Sequence, residues 1–236
     1  MQINRAGYHL PLPIVIFRWI FRPVFRTVFY LISEVRITGT ENIPERGPYV
    51  IAINHISIIE PPFVIAFWPV APEAVGAKEI WERKGQSLLA RFYGGIRVHR
   101  GEYDRRLIDT MIQVIESGRP LLIAPEGGRS HSPGLRPALP GVAYLIERSG
   151  APVLPVGIIG STDDFLSKAF KFKRPVLEMR IGTLINLPRI EGRGEHRRRA
   201  LKENADLIML KVAELLPLEY QGAYATGKAS TSETSE

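Results

Sequence analysis

The sequence predicts an α/β fold: one domain with a largely parallel mixed sheet flanked by helices, preceded by an N-terminal membrane-associated helical segment. Three observations predict it. Short apolar runs bounded by glycine, proline and polar residues recur along the chain, at 49–53, 120–124 and 152–159 among others. Between them lie stretches with helical spacing of apolar residues, of which 103–117 is the strongest. Such alternation marks crossover connections that bury a parallel sheet on both faces. Thirdly, a long apolar segment near the N-terminus stands outside that alternation.

That segment covers 10–32. Large apolar residues fill it, including Phe17, Trp19, Phe21, Phe25 and Phe29, and only Arg18, Arg22 and Arg26 interrupt them with charge. The arginines are four apart, so on a helix they form one slowly drifting stripe. Spanning a bilayer would put all three near its centre, at about 2.5–3.5 kcal/mol each. The expectation is therefore a helix, or two short helices broken at Pro23, lying in the headgroup region. There the arginines would meet lipid phosphates and the rings would sit among the upper acyl chains. The alternative is a helix packed on the domain with its basic stripe in water. A signal peptide is not expected, since arginines fall inside the apolar stretch and no small-residue cleavage site follows.

The remaining elements follow in order. Residues 35–39 read as a strand, and 49–53 as a buried strand leading into a loop with His55. Pro61 and Pro62 suit the first turn of a helix running to about 68. A brief strand at 74–77, a helix over 80–92 and a strand at 96–98 come next. The amphipathic helix 103–117 is ended by Gly118, and the helix 139–149 by Gly150. Strands are expected at 120–124, 152–159 and 176–181, and a long helix at 196–216. The chain divides into an interfacial segment, 1–33, an α/β domain, 34–222, and a small, polar, disordered tail, 223–236.

Composition narrows the function. The 236 residues suffice for one full core. The absence of cysteine excludes disulfides, a thiolate nucleophile and a cysteine-ligated metal. The net charge of +7 attracts polyanions. No helix-turn-helix, RNP or zinc-finger spacing is present, so nucleic acid is not an expected partner and membrane or phosphate is preferred.

Chemistry centres on Asn54-His55-Ile56-Ser57-Ile58-Ile59-Glu60-Pro61. Histidine can accept a proton from a hydroxyl near neutral pH. A carboxylate at its other ring nitrogen would set the tautomer and stabilise the charged ring. Three further motifs follow: Gly94-Gly95-Ile96-Arg97-Val98-His99-Arg100-Gly101, Pro125-Glu126-Gly127-Gly128-Arg129-Ser130, and Pro152-Val153-Leu154-Pro155-Val156. Each lies at or near an expected strand, and in open α/β sheets ligands bind beyond the strands' carboxyl ends. His55 with Glu60 as a metal site lacks a third ligand of suitable spacing. Ser57 lacks a nucleophile elbow.

In order and spacing these motifs resemble those of the glycerolipid acyltransferases of the lysophosphatidate acyltransferase type, over roughly 35–185. That family carries Asn-His plus four residues plus Asp, a Gly…Arg motif, Pro-Glu-Gly-Thr-Arg-Ser, and a Val-Pro-Val/Ile-type motif. Two positions depart: Glu60 stands for the usual Asp, and Gly128 for the usual Thr. The resemblance implies transfer of a fatty acyl chain from acyl-CoA or acyl carrier protein to a lysophospholipid hydroxyl, most simply lysophosphatidate to phosphatidate. His55 would be the base and Glu60 its orienting partner. Arg129 would clamp the acceptor phosphate, with Arg100 and Lys78 as further phosphate ligands, and Glu126, Gly127 and Gly128 would shape the acceptor loop. No metal or resident cofactor is implied. The partners implied are membrane lipids, the thioester co-substrate and the lysolipid, at the cytoplasmic face of a membrane. Acylation of another lipid or glycolipid, or a catalytically inactive lipid-binding protein, are the alternatives.

Overall fold

Four consecutive residues of the second strand, Val50–Ile53, are all buried. Such a run is stable only with a layer on each side of it. The computed structural model, which describes residues 7–99 and 104–225, places this strand at the centre of a seven-stranded sheet. The strands are β1 (Glu34–Thr38), β2 (Val50–Ile53), β3 (Glu73–Ala77), β4 (Ile96–Val98), β5 (Leu121–Ile123), β6 (Val153–Ile159) and β7 (Val176–Ile181), in the spatial order β1-β7-β6-β2-β5-β3-β4. All pairings are parallel except β6 with β7. The sheet is therefore the largely parallel mixed one that the sequence predicts.

Helices cover both faces. They are α1 (Leu12–Ile32), α2 (Glu60–Phe67), α3 (Gln86–Tyr93), α4 (Arg105–Glu116), α5 (Gly141–Ser149), α6 (Phe165–Phe170), α7 (Gly194–Ala213) and α8 (Leu218–Gln221). Period-two alternation along β2 divides the core. Val50 and Ala52 face one cluster with Val114 of α4, Leu145 of α5 and Ile208 of α7. Ile51 and Ile53 face the other, with Phe63 and Val64 of α2 and Phe21 and Phe29 of α1.

Several elements differ from expectation. The helix expected over 80–92 is two pieces: a 3₁₀ segment, Lys78–Glu82, and then α3, separated at Gly85, whose φ of 81° no continuous helix accepts. Short helices α6 and α8 were not anticipated. The tail expected to begin at 223 is ordered at its start, because Ala223 donates to the Leu135 carbonyl and the Tyr224 hydroxyl reaches Asp206. The rest of that tail lies outside the described residues.

Helix α1 departs most. It runs unbroken through Pro23, although an interior proline costs about 3 kcal/mol in isolation. All three of its arginines bond to the protein, although only Arg18 is buried and Arg26 stays exposed. Arg18 is buried and grips Glu73 with two 2.6 Å hydrogen bonds. Arg22 donates to the carbonyls of Ile65 and Trp68, and Arg26 to that of Ala66. Those carbonyls close α2, whose last turn has no intrahelical donors for them and carries the negative end of its dipole. Stacking of Phe21 on Phe25, with ring centroids 3.9 Å apart, adds apolar contact across the proline. Tertiary partners thus carry the helix through the proline and tie its charges to the domain. The outward face is apolar, with Trp19 79% and Leu31 70% exposed. Among the described residues no helix is long and apolar enough to cross a membrane.

Candidate active site

β2 ends at Ile53, and the next residue fixes where the chain goes. The Asn54 side chain is buried; its amide donates to the Ile158 carbonyl at 2.8 Å and its oxygen accepts the Ile158 N–H at 2.7 Å. A carboxamide carries one donor group and one acceptor, so it can replace a rung of the ladder beyond the strand end. The sequence placed Asn54 in the motif without a role.

His55 follows and is mostly covered. Its Nδ1 lies 3.0 Å from Glu60 Oε2. With Nδ1–H donating to that carboxylate, Nε2 keeps its lone pair and can act as a base. Glu60 is fully buried and is the first residue of α2. It also accepts the N–H groups of Ile56 and Ser57, at 3.1 and 2.9 Å, and the Ser161 hydroxyl at 2.5 Å. Backbone donors converging at a helix N-terminus favour a carboxylate there. Ser57 uses its hydroxyl oxygen to accept the Ile59 N–H, a capping role rather than a nucleophile's.

The loop after β5 is tied to this one. Glu126, buried, accepts the His55 N–H at 2.9 Å on one oxygen and the Arg136 N–H at 2.9 Å on the other. Burial pushes its carboxyl above the usual range, while the two backbone donors act in the opposite direction. The Ser130 N–H donates back to the His55 carbonyl at 2.8 Å. Glu126 therefore braces the loop after β5 and braces the histidine with it. Gly127 has φ of 66°, and a Cβ there would meet Leu139 Cδ1 at 2.3 Å. The left-handed φ favours glycine here and lets the loop turn tightly. Gly128 is buried beside it.

Arg129 is half-buried in the same loop. Its carbonyl accepts from Arg136, but among the described residues nothing pairs with its guanidinium. Lys78 is exposed at the carboxyl end of β3. Arg100 lies outside the described residues. Arg97 stacks its guanidinium on Trp81, 5.0 Å from the ring centre. Because β2, β3, β4, β5 and β6 all run in one direction, the residues that follow them gather at one end of the sheet. His55, Glu60, Lys78, Glu126, Arg129 and Ser161 are thus brought to a common edge. Ser161 and Arg136 were missed by sequence reasoning, since neither belongs to a spaced motif.

Comparison with known proteins adds to this geometry. The family model named Acyltransferase matches residues 34–159. The lyso-ornithine lipid O-acyltransferase of Pseudomonas aeruginosa is 30% identical over 149 residues, covering 57% of this chain and 55% of that protein. The 1-acyl-sn-glycerol-3-phosphate acyltransferase of Borreliella burgdorferi is 26% identical over 136 residues, 56% of this chain and 54% of that protein. The chain spans about half the length of the curated relatives it matches. Among solved structures, the 1-acyl-sn-glycerophosphate acyltransferase of Thermotoga maritima superposes with a TM-score of 0.59 at 20% identity, over 83% of this chain and 79% of that one. At that identity the likeness is one of fold.

Proposed function

The chain belongs to the acyltransferase family, and from that premise we propose that it moves a fatty acyl chain from the thioester of coenzyme A or acyl carrier protein to the hydroxyl of a lysophospholipid, lysophosphatidate first among them. The observation that carries this reading is the His55–Glu60 pair, laced by Glu126 to the loop that bears Arg129, whose guanidinium has no partner among the described residues. A thioester is already activated, so no protein nucleophile is needed. His55 Nε2 takes the proton of the acceptor hydroxyl as its oxygen attacks the thioester carbonyl. The tetrahedral oxyanion then collapses, the C–S bond breaks, and the imidazolium returns the proton to the departing thiolate. Base catalysis of this kind is worth roughly 10²–10⁴-fold. Glu60 holds the tautomer and offsets the charge on the ring.

Arg129 would bind the acceptor phosphate, since a guanidinium matches phosphate with two parallel hydrogen bonds. Lys78 would add charge at the same edge. The exposed apolar face of α1 would rest in the cytoplasmic face of the membrane, where the lysolipid resides.

A second acceptor class is favoured by the Pseudomonas relative, whose acceptor is named for ornithine. Incubation with acyl-CoA and a panel of lysolipids, with products identified by mass, separates the two. With lysophosphatidate as acceptor, Arg129→Ala is expected to raise its KM by roughly 10–100-fold, the worth of a charge-assisted hydrogen bond or two. An unchanged KM, with product formed from lyso-ornithine lipid, would favour the second class.

A further inference from the structure

The end of α6 and the turn after it read Phe170-Lys171-Phe172-Lys173-Arg174, and nothing in the fold accounts for these phenylalanines. Phe170 is 79% and Phe172 92% exposed. Phe172 also has φ of 57°, the left-handed conformation that glycine usually supplies at the end of a helix. The turn is closed by Phe172 N–H to the Ala169 carbonyl and Lys173 N–H to the Lys168 carbonyl. A large apolar side chain, held outward on an unfavourable backbone, costs the folded state free energy and gains it no contact.

Its placement gives it a use. β7 is antiparallel to β6, so the residues that precede β7 lie at the same sheet end as those that follow β6. The end of the segment therefore lies beside the close of β6, and so near Ser161, whose hydroxyl binds Glu60. The segment ends at Arg174, whose guanidinium donates to the carbonyls of Tyr30 and Ser33 where α1 finishes. The apolar residues Tyr30 and Leu31 are exposed at that point, so the turn extends the outward face of α1 towards the catalytic edge. Charge surrounds the rings. Lys168, Lys171, Lys173 and Arg174 stand against Asp163 and Asp164, with Lys168 already paired to Asp164 at 2.7 Å. Alternating aromatic and cationic residues suit an interface of acyl chains beneath anionic headgroups better than they suit a protein partner, whose interface core is depleted of lysine.

We propose that the turn 170–174 is a second membrane anchor, selective for anionic lipid, which together with α1 presents the His55–Glu60 edge to the bilayer surface. It goes beyond the catalytic reading and rests on the membrane reading of α1 only for orientation.

The chain has no cysteine, so a single one can carry a nitroxide without background. Labels at Phe172→Cys, Trp19→Cys on α1 and Leu210→Cys on α7 are to be compared on vesicles of phosphatidylcholine with and without phosphatidylglycerol. The expected result is that the label at 172 enters the acyl region on anionic vesicles and the one at 210 stays in water. Lys171→Gln with Lys173→Gln should weaken binding to those vesicles by roughly tenfold or more, at about 1 kcal/mol per lysine. That loss should shrink at high salt. A label at 172 that stays in water overturns the proposal. If the label at 19 inserts alone, α1 is the sole anchor; if neither inserts, the membrane reading of α1 falls as well. Insertion at 172 in a protein that transfers no acyl group would leave this proposal standing and remove the catalytic one.

Discussion

Glu60→Gln is expected to lower kcat by roughly 10³–10⁴-fold, the loss seen when a triad carboxylate becomes its amide and the histidine takes the wrong tautomer. The reason here is a count of donors. Glu60 faces His55 Nδ1, the N–H groups of Ile56 and Ser57, and the Ser161 hydroxyl. A carboxylate accepts all of them; an amide turns an NH₂ group towards some of them and leaves buried donors unpaired. His55 is then driven to protonate Nε2, the nitrogen that must be free. Glu60→Asp would draw the carboxylate back by about 1.5 Å, one carbon–carbon bond. The shorter residue, usual in the family, is therefore expected to perform less well in this loop. Steady-state kinetics, with thermal unfolding to confirm folding, measures both; an active glutamine variant would remove Glu60 from the mechanism.

Glu73→Gln is expected to cost about 3–5 kcal/mol of stability, the usual penalty for breaking a buried ion pair from one side. Glu73 has no exposed surface. It accepts two hydrogen bonds from Arg18, one from Arg119 at 2.8 Å and one from the Tyr8 hydroxyl at 3.0 Å. Removing its charge leaves Arg18 buried and uncompensated inside the α1 contact. In a chain of this size each kcal/mol shifts Tm by about 2–4 °C, so a fall of roughly 10 °C is expected by calorimetry. A fall of only a degree or two would show that solvent reaches Arg18 and that the pair does not fasten α1.

The strands were legible because each is a short apolar run between turn residues, and all seven lie within two residues of expectation. The contact of His55 with Glu60 was legible because it is local: four residues lie between them, and a helix start brings the second back to the first. The direction of the arginine stripe was not. Period alone says that Arg18, Arg22 and Arg26 share a face; whether it meets water, lipid or protein depends on Glu73 and on the closing carbonyls of α2, some forty or more residues away. Ser161 and the clamp made by Asn54 were hidden for the same reason. A hydrogen bond to a distant backbone group leaves no spacing in the chain. Glu126 lies between these cases. Its motif marked it, but its use as a brace for the His55 N–H shows only when the loops after β2 and β5 are side by side.

His55 is proposed to remove the proton from the acceptor hydroxyl. Turnover of acyl-CoA with the lysolipid that gives product, by the wild type and by His55→Ala, tests it most directly. The predicted result is a roughly 10²–10⁴-fold lower rate in the variant, with Tm and vesicle binding unchanged. Equal rates in two folded, membrane-bound proteins would contradict it.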